Sequence, residues 1–195
     1  MIKDIFLRNG LYVEDKKIEL FKVYMEELKK WNRVHRLTGI EKDEEIIIRH
    51  FVDSLTLVLC FQEKGVDITN KSLCDVGSGA GFPGVPLKIY YGDRIDLTLI
   101  ESVSKRCSFL EYIKSRLGLS YRVLCRRAEK VNETFDIVFC RALGKFEETA
   151  SILKKLSKEY VFIMKGKEAP SGYDFCKINT HDIKDSYILF LPKTT

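Results

Sequence analysis

The stretch Leu73-Cys74-Asp75-Val76-Gly77-Ser78-Gly79-Ala80-Gly81-Phe82-Pro83-Gly84 decides how the rest of the chain is read. A short apolar run ends in an acid and passes directly into four glycines spread over eight residues. Glycine at such a place lets the chain turn with φ > 0 and lets backbone approach a ligand closely. A buried strand feeding a loop of this kind, with a helix behind it, is where an open α/β sheet takes nucleotide-like ligands, beyond the carboxyl ends of its strands.

From Lys71 onward, β-prone runs alternate with amphipathic stretches. The pattern predicts strands at Ser72–Val76, Leu97–Glu101, Tyr121–Cys125, Asp136–Cys140 and Tyr160–Met164, and helices near Val85–Tyr91, Lys105–Leu117 and Glu147–Lys158. Alternation of this kind makes right-handed βαβ crossovers and a parallel sheet covered by helices. Phe175–Ile178 and Ser186–Leu191 break the rhythm and predict two tightly joined strands, an antiparallel edge. Upstream of the loop the texture is helical. Ile18, Phe21, Met25 and Leu28 are spaced for one face of a helix over 16–31, closed by Trp31-Asn32, with Thr38-Gly39 as a connector. A second helix is predicted from about Asp43, its cap, to Glu63, with Ile47, Phe51, Leu55 and Leu59 on one face. The expectation is an α/β protein: a helical extension over 1–66 packed as one unit with a Rossmann-like domain over 67–195, whose seven-stranded sheet is mostly parallel.

The loop alone does not choose a cofactor. Gly79 through Gly84 matches G-x-G-x-x-G, the dinucleotide fingerprint, as well as the G-x-G-x-G that starts at Gly77. Three features favour S-adenosylmethionine. Asp75 places a carboxylate at the strand end, suited to a cationic amino group, directly or through the loop, and unfavourable beside a pyrophosphate. Glu101 ends the next strand, where it can accept hydrogen bonds from both ribose hydroxyls, a feature that also fits NAD. Arg126-Arg127-Ala128-Glu129 follows the third strand, where a backbone N–H and a carboxylate can read an adenine edge. These features make the fold expectation a class I, Rossmann-like methyltransferase.

Composition bounds the partners. The 195 residues are 45% hydrophobic and 31% charged with a net charge of +5, and no run is apolar and long enough to span a bilayer. The N-terminal stretch has no apolar signal core, so a cytoplasmic protein with no membrane association is expected. The basic excess is local: residues 105–130 hold Lys105, Arg106, Lys114, Arg116, Arg122, Arg126, Arg127 and Lys130 against Glu111 and Glu129. A patch of this kind is either the footprint of a polyanion or a solvated helix face. The six cysteines form no C-x-x-C pair and sit mostly in apolar or strand-like runs, which predicts reduced thiols acting as small apolar residues rather than disulfides or a zinc site. Three scattered histidines likewise suggest no metal.

Read in order, Trp31-Asn32, Leu37-Thr38, Arg49-His50 with Asp53-Ser54, the loop from Asp75 to Gly84, Glu101-Ser102 with Lys105-Arg106 and Phe109-Leu110, Arg141-Ala142 and Lys165-Gly166 resemble the RsmG (GidB) family over roughly residues 20–168. These are bacterial methyltransferases acting on N7 of a guanine in 16S ribosomal RNA. The glycine loop is common to many methyltransferases; its Phe-Pro-Gly ending together with Arg49-His50-x-x-Asp53-Ser54 is far more distinctive. The resemblance implies cofactor contacts at Gly77, Phe82, Ala128, Glu129 and Arg141, to which the residue-level reading adds Gly79 and Glu101. It also implies 16S ribosomal RNA, free or in the small subunit, as partner. Arg36 stands where the family usually has Asn before Leu-Thr.

Guanine N7 is a lone-pair nucleophile without a proton, so alignment and electrostatics, not a general base, should carry the acceleration. No catalytic residue is therefore assigned. His50 reads as a structural histidine in a cluster where Arg49 and Asp53, at i and i+4, make a helix-surface ion pair. Lys105 and Arg106, directly after Glu101, and Lys165, at the end of the fifth strand, are candidate RNA-phosphate contacts. A monomer without a protein partner is expected. Other readings are a methyltransferase with another RNA or a small-molecule substrate, an NAD-dependent oxidoreductase, which lacks an evident hydride-chemistry partner, and a non-enzymatic RNA-binding module.

Overall fold

The computed structural model describes residues 1–141, 145–167 and 170–193. Helices α1 (Ile2–Arg8), α2 (Asp15–His35), α3 (Asp43–Ile46) and α4 (Asp53–Glu63) precede an alternation of β1 (Ser72–Val76), α5 (Gly84–Tyr91), β2 (Asp96–Glu101), α6 (Ser104–Leu117), β3 (Arg122–Cys125), β4 (Phe135–Arg141), α7 (Phe146–Leu156), β5 (Ser157–Gly166), β6 (Asp174–Ile178) and β7 (Ser186–Pro192). The strands form one sheet in the order β3-β2-β1-β4-β5-β7-β6. Only β7 runs antiparallel to its neighbours, so the final pair is inserted rather than appended: β7 lies between β5 and β6. β1 pairs in parallel with both β2 and β4. The chain reverses its direction of travel across the sheet there, which opens a crevice at the carboxyl ends of these strands.

Alternation within the strands sorts the core into two layers. Leu73, Leu97, Leu99, Ile137, Phe139 and Phe162 face one side with α5, α6 and the N-terminal helices. Cys74, Val76, Ile100, Val138 and Val161 face the other, against Ala150, Leu153 and Leu156 of α7. The helices that precede the sheet thus share a hydrophobic layer with it. Tyr24 of α2, fully buried, donates its hydroxyl to the Ala80 carbonyl at 2.5 Å and stacks on Phe82 at 5.4 Å.

Several expectations are corrected. α1 carries no sequence signal because seven residues are too few to show a period, yet Ile2, Ile5 and Phe6 are buried, with Phe6 edge-on to Phe21 at 5.0 Å. α2 continues four residues past Trp31, to His35, and ends where Arg36 turns left-handed at φ 49°. The second helix is not uniform: Ile47–Val52 is a π-helical segment. The widened turn shifts the phase of the face, and Leu59 is only partly buried. The cysteine expectation is overturned: Cys60 pairs with Cys176, and Cys107 with Cys125, with Cα separations of 5.6 and 5.8 Å. Spacing along the chain conceals this, because the first pair is 116 residues apart and is brought together only when α4 packs on β6. Cys74 and Cys140 are buried, as expected of small apolar residues.

Candidate active site

A cleft of about 290 Å³ opens at the carboxyl end of the sheet. Val76 and Gly77 form its floor; Glu101 and Val103 flank it after β2; Arg126 to Glu129 close it after β3. Thr149, Ile152 and Leu153 of α7 supply a wall that the sequence reading did not anticipate. The signal was present, since α7 is the crossover helix after β4 and its first turns must lie beside that crevice.

Glu101 is the anchor of the cleft. Its carboxylate is 4% exposed, with Oε2 accepting from the Gly79 N–H and Oε1 from the Ser102 and Val103 N–H groups, each at 2.8 Å. A carboxylate offers about four acceptor positions, so backbone fills three and about one is left for a ligand hydroxyl. Gly79 is thus held by the same side chain, with φ +59° and open space where a Cβ would sit. Arg106 comes within 3.8 Å of Glu101 Oε2, and its buried Nε has no hydrogen-bond partner.

Asp75 does not enter the cleft. It is fully buried, and Oδ2 accepts from the Gly84 N–H at 2.8 Å, so it braces the glycine loop. Burial pushes its carboxyl up to about 7, with the Gly84 N–H pulling the other way. A Cβ at Gly84 would lie 2.8 Å from Asp75 Oδ2, and one at Gly81 2.6 Å from the Tyr24 hydroxyl, so these two glycines are set by close approach.

Phe82 and Arg141 belong to a second cluster, where the helical extension meets the loop. His50, in the π-helical segment, stacks on Phe82 at 4.3 Å and 9°. Its Nε2 pairs with the Thr38 hydroxyl at 2.8 Å and its Nδ1 with Arg141 at 3.2 Å. Burial, with Arg141 adding to it, pushes the imidazole down to about 3, so it is neutral at pH 7. Arg141 also donates to the Arg49 carbonyl at 2.9 Å and to Asp53 at 3.2 Å, and lies over the Phe82 ring at 5.4 Å. Asp53 therefore pairs with Arg141 and not with Arg49: a helix-surface ion pair was expected, and a tie between α4 and β4 is found. Burial raises the Asp53 carboxyl, and Arg141 opposes that. Ala142 lies outside the described residues.

The basic segment is divided. Arg106, Arg126 and Arg127 line the cleft. Lys114, Arg116 and Arg122 are taken by Glu111, Glu27 and Glu133. Lys105 donates to the His35 carbonyl at 2.8 Å, and Lys165 lies over the Phe146 ring at 5.8 Å, away from the cleft lining. Of the expected cofactor residues, the structure brings together Gly77, Glu101, Ala128 and Glu129, with Gly79 bonded to Glu101; Phe82 and Arg141 stand apart in the second cluster. Among the described residues no group of three or more His, Cys, Asp or Glu is placed to hold a metal, and no helix is long and apolar enough to cross a membrane.

A sheet ordered 3-2-1-4-5-7-6, with its cleft beside a glycine loop and a carboxylate ending β2, is the architecture of Rossmann-like S-adenosylmethionine-dependent methyltransferases. A magnesium protoporphyrin IX methyltransferase from Synechocystis, solved with bound SAM, superposes with a TM-score of 0.63, covering 94% of this chain and 99% of that one; at 14% identity the likeness is one of fold. The family model for rRNA small subunit methyltransferase G (GidB) matches residues 17–181, and the chain belongs to that family. A ribosomal RNA small subunit methyltransferase G from Aquifex aeolicus is 53% identical over 194 residues, 97% of this chain and 98% of that protein. A Bacillus cytotoxicus protein of the same description is 34% identical over 76% of this chain, which spans 63% of that longer relative.

Proposed function

We propose that this protein transfers a methyl group from S-adenosylmethionine to N7 of a guanine in 16S ribosomal RNA. The observation that carries the reading is the family match over residues 17–181 together with a cleft whose polar and apolar groups suit that cofactor. Glu101 has an acceptor position left for a ribose hydroxyl, Ala128 and Glu129 edge the place for an adenine, and Ile152 and Leu153 supply an apolar wall for its ring. Bound there, S-adenosylmethionine supplies an electrophilic methyl group on a sulfonium centre.

The protein's share is positioning. Gly77 lets backbone approach the cofactor, and Glu101 holds the loop through Gly79. Phe82 and Arg141 act from behind the loop, through the stack with His50 and the bonds to Asp53 and Arg49. His50 is buried and neutral with both ring nitrogens engaged, so it is no general base, and an N7 lone pair needs none. Arg106, Lys105 and Lys165 are assigned to RNA phosphates, with Arg106 nearest the cleft. The enzyme works as a cytoplasmic monomer on free 16S RNA or the small subunit, with residues 1–66 and 67–195 folding as one unit through the shared layer around Tyr24 and Phe82.

The test is transfer of labelled methyl groups to 16S RNA and to small subunits prepared from cells lacking this protein, followed by mapping of the modified base. A label at N7 of one guanine is expected; label on another atom, or none on either substrate, overturns the reading.

A further inference from the structure

A groove of about 640 Å³ runs across the end of α2 and is lined by Asn32, Arg33, Arg36, Thr38, Glu41 and Arg106. Arg106 is shared: its side chain lines both this groove and the cofactor cleft. The groove therefore adjoins the cleft at Arg106.

Two of the cations here are uncompensated. Arg33 and Arg36 are exposed, and neither guanidinium has an ion pair or side-chain hydrogen bond among the described residues. Arg106 Nε is buried without a partner. Lys105 adds a cation at the same helix end through the His35 carbonyl. Against these stand Glu41 on the rim and Glu101, which lies 3.8 Å from Arg106. Cations at a helix C-terminus favour its dipole, which accounts for Arg33 on its own. It does not account for a groove adjoining the cleft, nor for Arg36. At φ 49° Arg36 holds a left-handed turn that Asn adopts more readily, so a long cation sits there at a conformational cost. Whole-segment charge counts hid the site, because residues 1–62 hold equal numbers of basic and acidic side chains.

We infer that Arg33 and Arg36, with Arg106, bind the phosphodiester backbone of RNA flanking the nucleotide presented to the cleft, so that the helical extension is part of the substrate-binding surface. This rests on the reading of the substrate as ribosomal RNA. Guanidinium forks match phosphate oxygens in pairs, and a polynucleotide supplies one such group per nucleotide along the groove. Thr38, which lines the groove, bonds His50 of the cluster behind the loop.

The test is an Arg33→Ala, Arg36→Asn double variant, in which Asn suits the left-handed turn and keeps the helix end. Binding to 16S RNA is titrated over a salt series, with S-adenosylmethionine affinity by calorimetry and thermal unfolding alongside. Two lost phosphate contacts should flatten the log–log salt slope by roughly 1.4 and weaken RNA binding roughly 25-fold at about 0.1 M salt, the gap closing toward about 1 M. Cofactor affinity and Tm should not change. An unchanged salt slope in the variant, or a loss of RNA affinity that tracks a lowered Tm, overturns the inference while wild-type methyl transfer still stands. A wild-type protein that neither binds nor methylates 16S RNA overturns the substrate reading and the inference with it.

Discussion

The cleft and the cluster behind it are neighbours built on different principles. The cleft is an assembly of strand ends: Glu101 closes β2, Gly77 follows β1 and Ala128 and Glu129 follow β3, and the parallel sheet brings them together automatically. The cluster of His50, Asp53, Phe82 and Arg141 joins a π-helical turn, a helix start, a loop and a strand end, with Arg141 separated from Asp53 by 88 residues. Glu101 in the cleft is paired yet retains capacity for a ligand, and Arg106 Nε is unpartnered; His50 and Arg141 in the cluster are engaged by neighbouring protein groups and stiffened by stacking. Substitutions in the cleft should therefore cost ligand affinity, and substitutions behind the loop should cost stability.

The largest effect is expected at Gly81. A valine there would place its Cβ 2.6 Å from the Tyr24 hydroxyl and 2.7 Å from Val85 Cγ2, at φ +101°. Overpacking plus backbone strain should cost about 3 kcal/mol or more in urea unfolding. A fully stable Gly81→Val would mean the α2–loop contact is loose.

Next is the pH response of His50. Its folded value is depressed to about 3 by burial and Arg141, so the unfolded chain takes up the proton first as pH falls. The stability contribution is complete above about 6.5, the unfolded value, and is lost as pH falls through the window down to about 3. One proton gives a slope of about 1.4 kcal/mol per pH unit in that window. His50→Gln should flatten the stability–pH curve relative to wild type; parallel curves would show that the imidazole is not held neutral. The difference between the two proteins isolates His50 from Asp53, whose raised carboxyl acts in the opposite sense.

Glu101→Ala tests the other side of the comparison. It should weaken S-adenosylmethionine binding by about 1–3 kcal/mol, the scale of hydrogen bonds to a charged group, in calorimetry. Unchanged affinity would place the ribose elsewhere. Smallest is Lys105→Ala, which removes an exposed contact to the His35 carbonyl and should shift stability by no more than about 0.5 kcal/mol. A larger loss would make this lysine a structural tie and count against its assignment to RNA.

Residues whose positions follow from local order were legible in the chain. The run from Leu73 to Gly84 specifies strand, turn and helix by itself, because an apolar segment, an acid and spaced glycines permit little else. Glu101 and the Ala128-Glu129 pair follow from counting to the next strand ends, and the alternation of strands and helices dictates a parallel sheet with its cleft at those ends. Tertiary structure alone decided the partners of groups far apart in the chain. It turned Asp53 from Arg49 to Arg141, laid His50 on Phe82, joined Cys60 to Cys176, set Lys105 against His35 and divided the basic segment between the cleft and ion pairs. Periodicity reports which face of an element is buried, whereas a salt bridge, a stack or a disulfide depends on which two faces meet, and that is settled only when the layers pack.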